Sequence, residues 1–193
     1  LSDKRKLQLK DRNWFKQSIS GKNFISEPYI SEADNSLIIT VSVPIYDDIS
    51  NIIGLLMCNI HGMWLSEKIK DIVVGETGVC YVIDSNGITI ADPDIEVVKS
   101  RESSIERAKT DTTYESIAAF EKRAMTENTP SSGYFYWYKR LDIAAFAKIN
   151  TKNWAVIVSA PSIEFLGTIQ TLRLTMFGLG GIVLMVALAI VYA

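Results

Sequence analysis

The stretch that decides the fold is Gly75–Asp94, with the sequence GETGVCYVIDSNGITIADPD. Within it, Val79–Ile83 and Ile88–Ala91 are short runs rich in apolar and β-branched residues, as is typical of strands. Asp84–Gly87 separates the two runs and has the composition of a tight turn. We therefore predict two antiparallel strands joined by this turn, with Asp92–Asp94 ending the second strand.

The segment that follows completes a sheet. Thr112 and Glu115 have the spacing of a capping box at the start of a helix. Three later runs predict strands, at Gly133–Lys139, Ile143–Ile149 and Trp154–Ala160. A turn is expected at Arg140–Asp142. The order of two strands, helices and three strands is typical of an antiparallel five-stranded sheet of the PAS-like plan, in an α+β fold.

Upstream of Gly75, a second pair of strands is predicted. Ser36–Tyr46 and Asn51–Ile60 are β-branched and apolar, and the four residues between them suit a hairpin turn. Gly62–Val74 then has its apolar residues roughly on one helical face, which predicts a short helix ending at Gly75.

The C-terminal tail is apolar. Leu174–Ala193 reads LTMFGLGGIVLMVALAIVYA and contains no charged residue. A helix of that length covers about 30 Å, the hydrocarbon thickness of a bilayer. We predict a transmembrane helix, preceded by a stalk helix over residues 161–173; a buried helix of a globular core is the alternative.

Composition excludes several classes of protein. A formal net charge of −2 over 193 residues gives no electrostatic case for nucleic-acid binding. One histidine and two cysteines argue against a His-based zinc site, a Ser/His/Asp triad and a disulfide scaffold. A membrane-anchored hydrolase is disfavoured because neither GxSxG nor HExxH is present. We expect no catalytic residue, no metal and no cofactor.

The order and spacing of several short motifs resemble a double Cache domain, the extracytoplasmic ligand-sensing region of bacterial chemoreceptors and related signalling proteins. The motifs are Arg12–Phe15, Ser26–Tyr29, Thr40–Asp47, Ile53–Leu56, Gly75–Gly78, Tyr81–Asp84, Asn86–Gly87, Ala91–Asp94, Thr151–Trp154 and Ala160–Pro161. The resemblance implies tandem PAS-like modules.

The domain boundaries follow from this resemblance. Residues 1–61 are expected to form the later part of a membrane-distal module, which is N-terminally incomplete because the family pattern starts with a transmembrane helix, a stalk helix and two more strands. Residues 62–74 form an inter-module helix, and residues 75–160 form the membrane-proximal module. The stalk helix and the membrane helix, residues 174–193, complete the chain.

The resemblance also implies a ligand site. Arg12 and Trp14, with Phe15, match the motif that holds a ligand carboxylate in amino-acid-sensing members, and Tyr29 matches a tyrosine that holds the ammonium. Ser31 and Asn59 stand where the family has two aspartates. A buried ammonium without a counter-charge is costly, which favours a carboxylate or a neutral polar ligand over an α-amino acid. Glu32, the residue after Ser31, is a candidate to supply the missing acid. Alternation along a strand would, however, point its side chain away from the site.

Simpler interpretations exist for several residues. Arg12 is equally well explained as a surface ion-pair residue beside Asp11, and Trp14 as a core residue. His61 and Trp64 are interpreted as packing residues. Two further sets have open interpretations: Cys58 and Cys80 as buried free thiols rather than a disulfide, and Asp92 and Asp94 as the lining of a second pocket or an ordinary turn.

The function predicted is that of a non-enzymatic sensor in a transmembrane chemoreceptor that controls chemotaxis. Residues 1–173 would be extracytoplasmic and would bind a small molecule, and the C-terminal helix would carry the signal through the cell membrane. The same sensor on a histidine kinase or diguanylate cyclase is the alternative. The resemblance implies a homodimer.

Overall fold

A computed structural model describes residues 9–149, 152–165, 175–181 and Met185 of the chain. The helices and strands, in chain order, are α1 (Asn13–Ile19), β1 (Phe24–Ile25), β2 (Tyr29–Ile30), β3 (Leu37–Tyr46), β4 (Ile52–His61), α2 (Trp64–Ile69), β5 (Val79–Ile83), β6 (Thr89–Ala91), α3 (Ile95–Lys99), α4 (Ser104–Arg107), a 3₁₀ turn (Thr112–Tyr114), α5 (Glu115–Thr126), β7 (Ser131–Trp137), β8 (Arg140–Ile149) and β9 (Trp154–Pro161).

Five strands form the larger sheet, in the order β6-β5-β9-β8-β7, with every neighbouring pair antiparallel. The helices α3, α4 and α5 lie in sequence between β6 and β7. The predicted α+β class and the antiparallel five-stranded sheet with helices after its second strand are confirmed.

Strand alternation gives this sheet two apolar faces. Tyr81 and Ile83 of β5 belong to a buried cluster that includes Phe120 of α5. Cys80 and Val82 belong to a second cluster that contains Ile69 of α2. The sheet is therefore covered by α5 on one face and by α2 on the other.

A second, four-stranded sheet is formed by the N-terminal strands. Strand β3 lies at its centre, pairing with β1 and β2 on one side and with β4 on the other, all antiparallel. The side chains of β3 from Leu37 to Thr40 are buried, whereas most residues of β4 are exposed. Helix α1 contacts both of these long strands.

A short segment between β1 and β2 joins the two sheets. The Glu27 carboxylate accepts a hydrogen bond from Trp154 Nε1 at 2.6 Å and pairs with Lys152 Nζ at 3.1 Å. Arg101 Nη1 donates to the backbone oxygen of Pro28 at 2.5 Å. Residues from opposite ends of the described chain are thus bound to one another.

The structure corrects two local predictions. Arg140 and Asp142 lie inside β8, opposite Trp137 and Phe135 of β7, so the predicted turn at Arg140–Asp142 is wrong. Thr112 and Glu115 do not form a capping box: Thr112 begins the 3₁₀ turn, and the Asp111 side chain accepts from the N–H of Thr113. Helix α2 is also shorter than the predicted helix over Gly62–Val74.

The predicted C-terminal segments lie largely outside the described residues. Strand β9 ends at Pro161, and residues 162–165 and 175–181 are helical. Among the residues that the structure describes, no helix is long and apolar enough to cross a membrane. The predicted transmembrane helix over residues 174–193 and most of the stalk helix remain predictions.

Phe120→Ala tests the packing of α5 on the larger sheet. Phe120 is 3% exposed and packs against Phe135 and Phe146 with ring centroids 5.4 and 5.5 Å apart. Removing it should lower the free energy of unfolding by about 3 to 5 kcal/mol. Urea denaturation measures the change, and Lys122→Ala, on the exposed side of α5, should alter stability by less than about 0.5 kcal/mol. An equal effect of both substitutions would contradict this packing.

Candidate functional site

Arg12 lies immediately before α1 and forms an ion pair with Glu32. The Arg12 Nη2 to Glu32 Oε2 distance is 2.5 Å, and the two side chains are 41% and 71% exposed. The Glu32 carboxylate raises the pKa of the Arg12 guanidinium. Strand β2 ends at Ile30, so the alternation rule does not apply to Glu32, and the expectation that it points away from Arg12 is wrong.

Tyr29 and Asn59 are connected through a residue that sequence reasoning missed. The Tyr29 hydroxyl lies 2.7 Å from Thr40 Oγ1, and Thr40 Oγ1 donates to Asn59 Oδ1 at 2.8 Å. Thr40 itself is fully buried. Thr40 lies opposite Asn59 in the register of the β3–β4 hairpin. The hairpin register is therefore the signal by which sequence reasoning could have identified Thr40.

The other three predicted site residues have different environments. Trp14 is buried, Phe15 packs edge-on against it at 5.9 Å between ring centroids, and the Trp14 backbone oxygen accepts from Ser42 Oγ. Ser31 lies in a turn, where its backbone N–H donates to the oxygen of Ser36. The structure thus joins Tyr29 to Asn59, whereas Arg12 is paired with an acid outside the predicted set.

A cavity of about 430 Å³ lies at the α5-covered side of the larger sheet. Its walls come from β5, β6, β7, β8, β9 and the helices between β6 and β7. The lining residues are Val79, Tyr81, Thr89, Asp92, Asp94, Val97, Glu102, Ser104, Tyr114, Ile117, Glu121, Phe135, Trp137, Arg140, Asp142 and Ser159. The predicted possibility that Asp92 and Asp94 line a second pocket is therefore supported by the structure.

The charges of this cavity are unequal, since five lining residues are acidic and one is basic. Asp142 is neutralised by Arg140, whose Nε and Nη2 lie 2.7 and 2.9 Å from its two carboxylate oxygens. Glu102 is neutralised by Arg107, with Nε at 2.9 Å. The remaining three acids have no basic partner among the described residues: Asp92, Asp94 and Glu121.

Glu121 is the most deeply buried of these three. It is 1% exposed, and its Oε1 accepts hydrogen bonds from Tyr81 at 3.2 Å and Ser104 at 3.1 Å. Its Oε2 is buried and has no hydrogen-bond partner among the described residues. Burial raises the pKa of Glu121 to about 7, against the two hydrogen bonds that lower it.

The pKa values of Asp92 and Tyr81, which line the same cavity, are also raised by burial. Burial raises the pKa of Asp92 to about 6, and the charges of Asp94 and Glu102 act in the same direction. Burial and then the charges of Glu121, Asp92 and Asp142 raise the pKa of the Tyr81 hydroxyl. The carboxylates of Glu121, Asp92 and Asp142 thus all act on the Tyr81 hydroxyl, and Glu102 acts on both Glu121 and Asp92.

The start of the C-terminal helical segment is tied to the loop that precedes β5. Glu164 accepts hydrogen bonds from the backbone N–H of Glu76 at 2.6 Å and from the Thr77 hydroxyl. Gly75 has φ +69°, and a Cβ there would lie 2.3 Å from Glu164 Oε2. Only glycine therefore permits this approach. The Thr77 hydroxyl and the two backbone N–H groups lower the pKa of Glu164.

The remaining candidate residues lie elsewhere. His61 and Trp64 are both exposed, so the packing interpretation is wrong for them. Cys58 and Cys80 are both free thiols, but only Cys80 is buried, so the prediction of a buried thiol is wrong for Cys58. Among the described residues, no three side chains of the metal-ligating types converge. The functional groups of the cavity lining are carboxylates, hydroxyls, aromatic rings and the guanidinium of Arg140.

An antiparallel sheet of the PAS-like plan, with a cavity lined by aromatic and polar side chains on one side, is typical of modules that bind small molecules. The family model described as "Cache domain" matches residues 2–169. The chain therefore belongs to the Cache domain family, and the resemblance drawn from its motifs is confirmed.

Solved structures show the same fold. The ligand-binding domain of Mlp24 with asparagine is 17% identical, with a TM-score of 0.55, over 86% of this chain and 62% of that one. The Campylobacter jejuni chemoreceptor Tlp3 in complex with 4-methylisoleucine is 17% identical, with a TM-score of 0.57, over 82% and 55%. The extracellular domain of the putative histidine kinase mmHK1S-Z3 is 14% identical, with a TM-score of 0.62, over 86% and 59%.

The chain spans about three fifths of the length of these solved domains. A comparison with curated proteins finds no match.

Stability should depend on pH through Glu121. Because the pKa of Glu121 is about 7 in the folded chain against an ordinary value of 4.5, the folded state binds this proton more tightly than the unfolded state. The resulting stabilisation is complete below about pH 4.5 and is lost as the pH rises through 7, amounting to roughly 3 kcal/mol. Asp92, with its pKa of about 6, contributes in the same direction.

Urea denaturation at pH 5 and pH 8 measures this difference. Glu121→Gln should remove most of it, because the amide does not titrate. Glu115→Gln is the matched control, since Glu115 is exposed on the same helix, and it should retain the wild-type difference. Equal stability of the wild type at both pH values would contradict the assignment.

Proposed function

We propose that this chain is the extracytoplasmic small-molecule sensing region of a transmembrane chemoreceptor that controls chemotaxis. The observation that carries the proposal is the Cache family match over residues 2–169. In this proposal the chain binds its ligand without catalysis, works as a homodimer and signals through a membrane helix over residues 174–193.

The two sheets correspond, in this proposal, to two modules. Residues 1–61 form the later part of a membrane-distal module and residues 75–160 form the membrane-proximal module, with residues 62–74 between them. The pairing of β1 to β4 in one sheet and of β5 to β9 in another supports this division.

The proposed ligand site of the distal module is formed by Arg12, Trp14, Phe15, Tyr29, Ser31 and Asn59. Arg12 is the main ligand-binding residue of this site in the proposal, because an exposed guanidinium can exchange its carboxylate partner for a ligand carboxylate of the same geometry. Tyr29 and Asn59 present hydroxyl and amide groups that suit a polar ligand. We propose a small carboxylate or neutral polar metabolite.

The position of Glu32 bears on whether the ligand carries an ammonium. The preference against α-amino acids assumed that no acid replaces the two missing aspartates, yet Glu32 lies beside Arg12. Mlp24 and Tlp3 were solved with asparagine, isoleucine and valine. An α-amino acid is therefore the competing ligand class, with Arg12 holding its carboxylate and Glu32 its ammonium.

Ligand screening by thermal unfolding tests the site. A carboxylate at about a hundred times its Kd should raise Tm by about 5 to 10 °C. Arg12→Ala should abolish the shift, because the ligand carboxylate loses its charged partner, whereas Lys16→Ala on the exposed side of α1 should preserve it. An unchanged shift in Arg12→Ala would contradict the role of Arg12.

Glu32→Gln separates the two ligand classes. The substitution frees Arg12, so a simple carboxylate should bind several-fold more tightly to the variant. An α-amino acid should bind more weakly, because its ammonium loses a counter-charge. Matched pairs of amino acids and their deaminated acids provide the comparison, and the largest Tm shifts with amino acids would contradict the proposed ligand class.

Signal output is proposed to pass through Glu164. This residue links the loop before β5 to the helical segment after β9, and Arg140 of the cavity lining adds to the electrostatic stabilisation of its charge. A change in the larger sheet can therefore shift the balance between two positions of that segment.

Glu164→Gln should uncouple ligand binding from output. The neutral amide accepts weaker hydrogen bonds from Glu76 and Thr77, so we expect ligand affinity within twofold of wild type and a response reduced by about half or more. Kinase control measured in a chimera with a chemoreceptor signalling domain gives the readout, and Glu115→Gln is the control. A full response from Glu164→Gln would count against this link.

A histidine kinase or diguanylate cyclase output is the second candidate. The similarity of the fold to the extracellular domain of the putative histidine kinase mmHK1S-Z3 favours it. The kind of output region distinguishes the two candidates: a long heptad-repeat hairpin supports a chemoreceptor, whereas a catalytic domain contradicts it.

A further inference from the structure

We propose that the cavity of the five-stranded sheet is a second ligand site, which binds a small organic cation with a primary ammonium group and an apolar body. This site is separate from the Arg12 site and goes beyond the proposed function. The unpartnered Glu121 Oε2 atom, buried within the cavity lining, carries the inference.

The Oε2 atom of Glu121 lacks a hydrogen-bond donor among the described residues. A buried carboxylate oxygen without a hydrogen-bond donor is costly, and such groups in native structures call for an explanation. Asp84 Oδ2 is also buried and unpartnered, but Asp84 does not line the cavity. Glu121 is therefore the place where a ligand donor would satisfy an orphaned acceptor.

The charge of the cavity selects the kind of donor. Arginines neutralise Asp142 and Glu102, which leaves Asp92, Asp94 and Glu121 uncompensated among the lining acids. An anionic ligand would face these three carboxylates. A cation reduces their mutual repulsion and gains a charge-assisted hydrogen bond, which is stronger than a neutral one.

The remaining walls suit an organic cation rather than a metal ion. Four aromatic residues line the cavity, and their rings can attract an ammonium group and pack against a carbon skeleton: Tyr81, Tyr114, Phe135 and Trp137. No metal-binding cluster exists among the described residues. A volume of about 430 Å³ accommodates a small organic molecule. The orphaned Oε2 needs an N–H donor, so a primary ammonium fits better than a quaternary one.

The test uses the full chain in detergent micelles and calorimetric titration with four probes. These are 2-phenylethylammonium, n-butylammonium, the neutral 2-phenylethanol and the anionic 3-phenylpropionate. We expect both ammonium ions to bind, the aryl one more tightly, and the neutral and anionic analogues to bind at least about tenfold more weakly. No measurable binding of either ammonium ion, or equal binding of 2-phenylethanol, would overturn the proposal.

Two variants connect binding to the cavity. Glu121→Gln should lower the affinity for 2-phenylethylammonium about tenfold or more, and Asp92→Asn should lower it several-fold. Glu115→Gln, on the exposed side of the same helix, and Lys16→Ala, on the exposed side of α1, should leave the affinity for 2-phenylethylammonium unchanged. Circular dichroism of each variant establishes that it is folded, and unaltered affinity in both cavity variants would refute the assignment.

The pH dependence of binding supplies an independent readout. Protons compete with the ammonium for Glu121, and burial raises the pKa of that residue to about 7. Asp92, Asp94, Glu102, Asp142, Tyr81 and Tyr114 face the same cavity, together with Arg140. The affinity should rise several-fold from pH 6 to pH 8. A fall in affinity over that range would mean that protonated Glu121 donates to a neutral ligand, which contradicts the proposal.

Discussion

The carboxylate of Glu27 is the interaction on which the arrangement of the two sheets depends. It lies between β1 and β2, yet its partners are Trp154 Nε1 at 2.6 Å and Lys152 Nζ at 3.1 Å, at the beginning of the last strand. Arg101 adds a bond to the neighbouring Pro28 oxygen. Because these contacts are part-buried and charged, they hold the N-terminal sheet against the larger one more specifically than apolar packing alone would. Glu27 and Trp154, which meet here, both belong to motifs that carry the family resemblance.

The cavity of the larger sheet lies close to the segment that follows β9. Strand β9 pairs with both β5 and β8 and ends at Pro161, opposite Asp142. Asp142 and Arg140 line the cavity, and Glu164 just beyond β9 is bound by the loop before β5. A ligand that alters the Arg140 and Asp142 ion pair therefore acts next to Pro161, directly before the helical residues 162–165. In the proposed function, this short connection is the route from ligand occupancy to displacement of that segment.

The two candidate sites differ in their electrostatics, and this gives them different chemistry. Arg12 is exposed and already paired, so an incoming carboxylate exchanges one partner for another at modest cost in high dielectric. Glu121 is buried and incompletely paired, so the desolvation of its charge is a standing cost that a suitable donor relieves. The first site suits anions or zwitterions, and the second suits cations.

The amino-acid sequence by itself determined most of the long strands, because alternation of apolar residues and turn chemistry are local. The predicted strand Val79–Ile83 agrees with β5 to the residue, and the order and spacing of short motifs indicate the family. Tertiary structure decided what depends on distant partners. Asp142 reads as a turn residue, yet it is buried in β8 because Arg140 binds both of its oxygens. Glu32 turns toward Arg12 because β2 ends two residues earlier. In the sequence, Glu121 cannot be distinguished from any other glutamate of a helix. Its pKa is raised only because the folded chain buries it, and burial depends on the surroundings rather than on the residue itself.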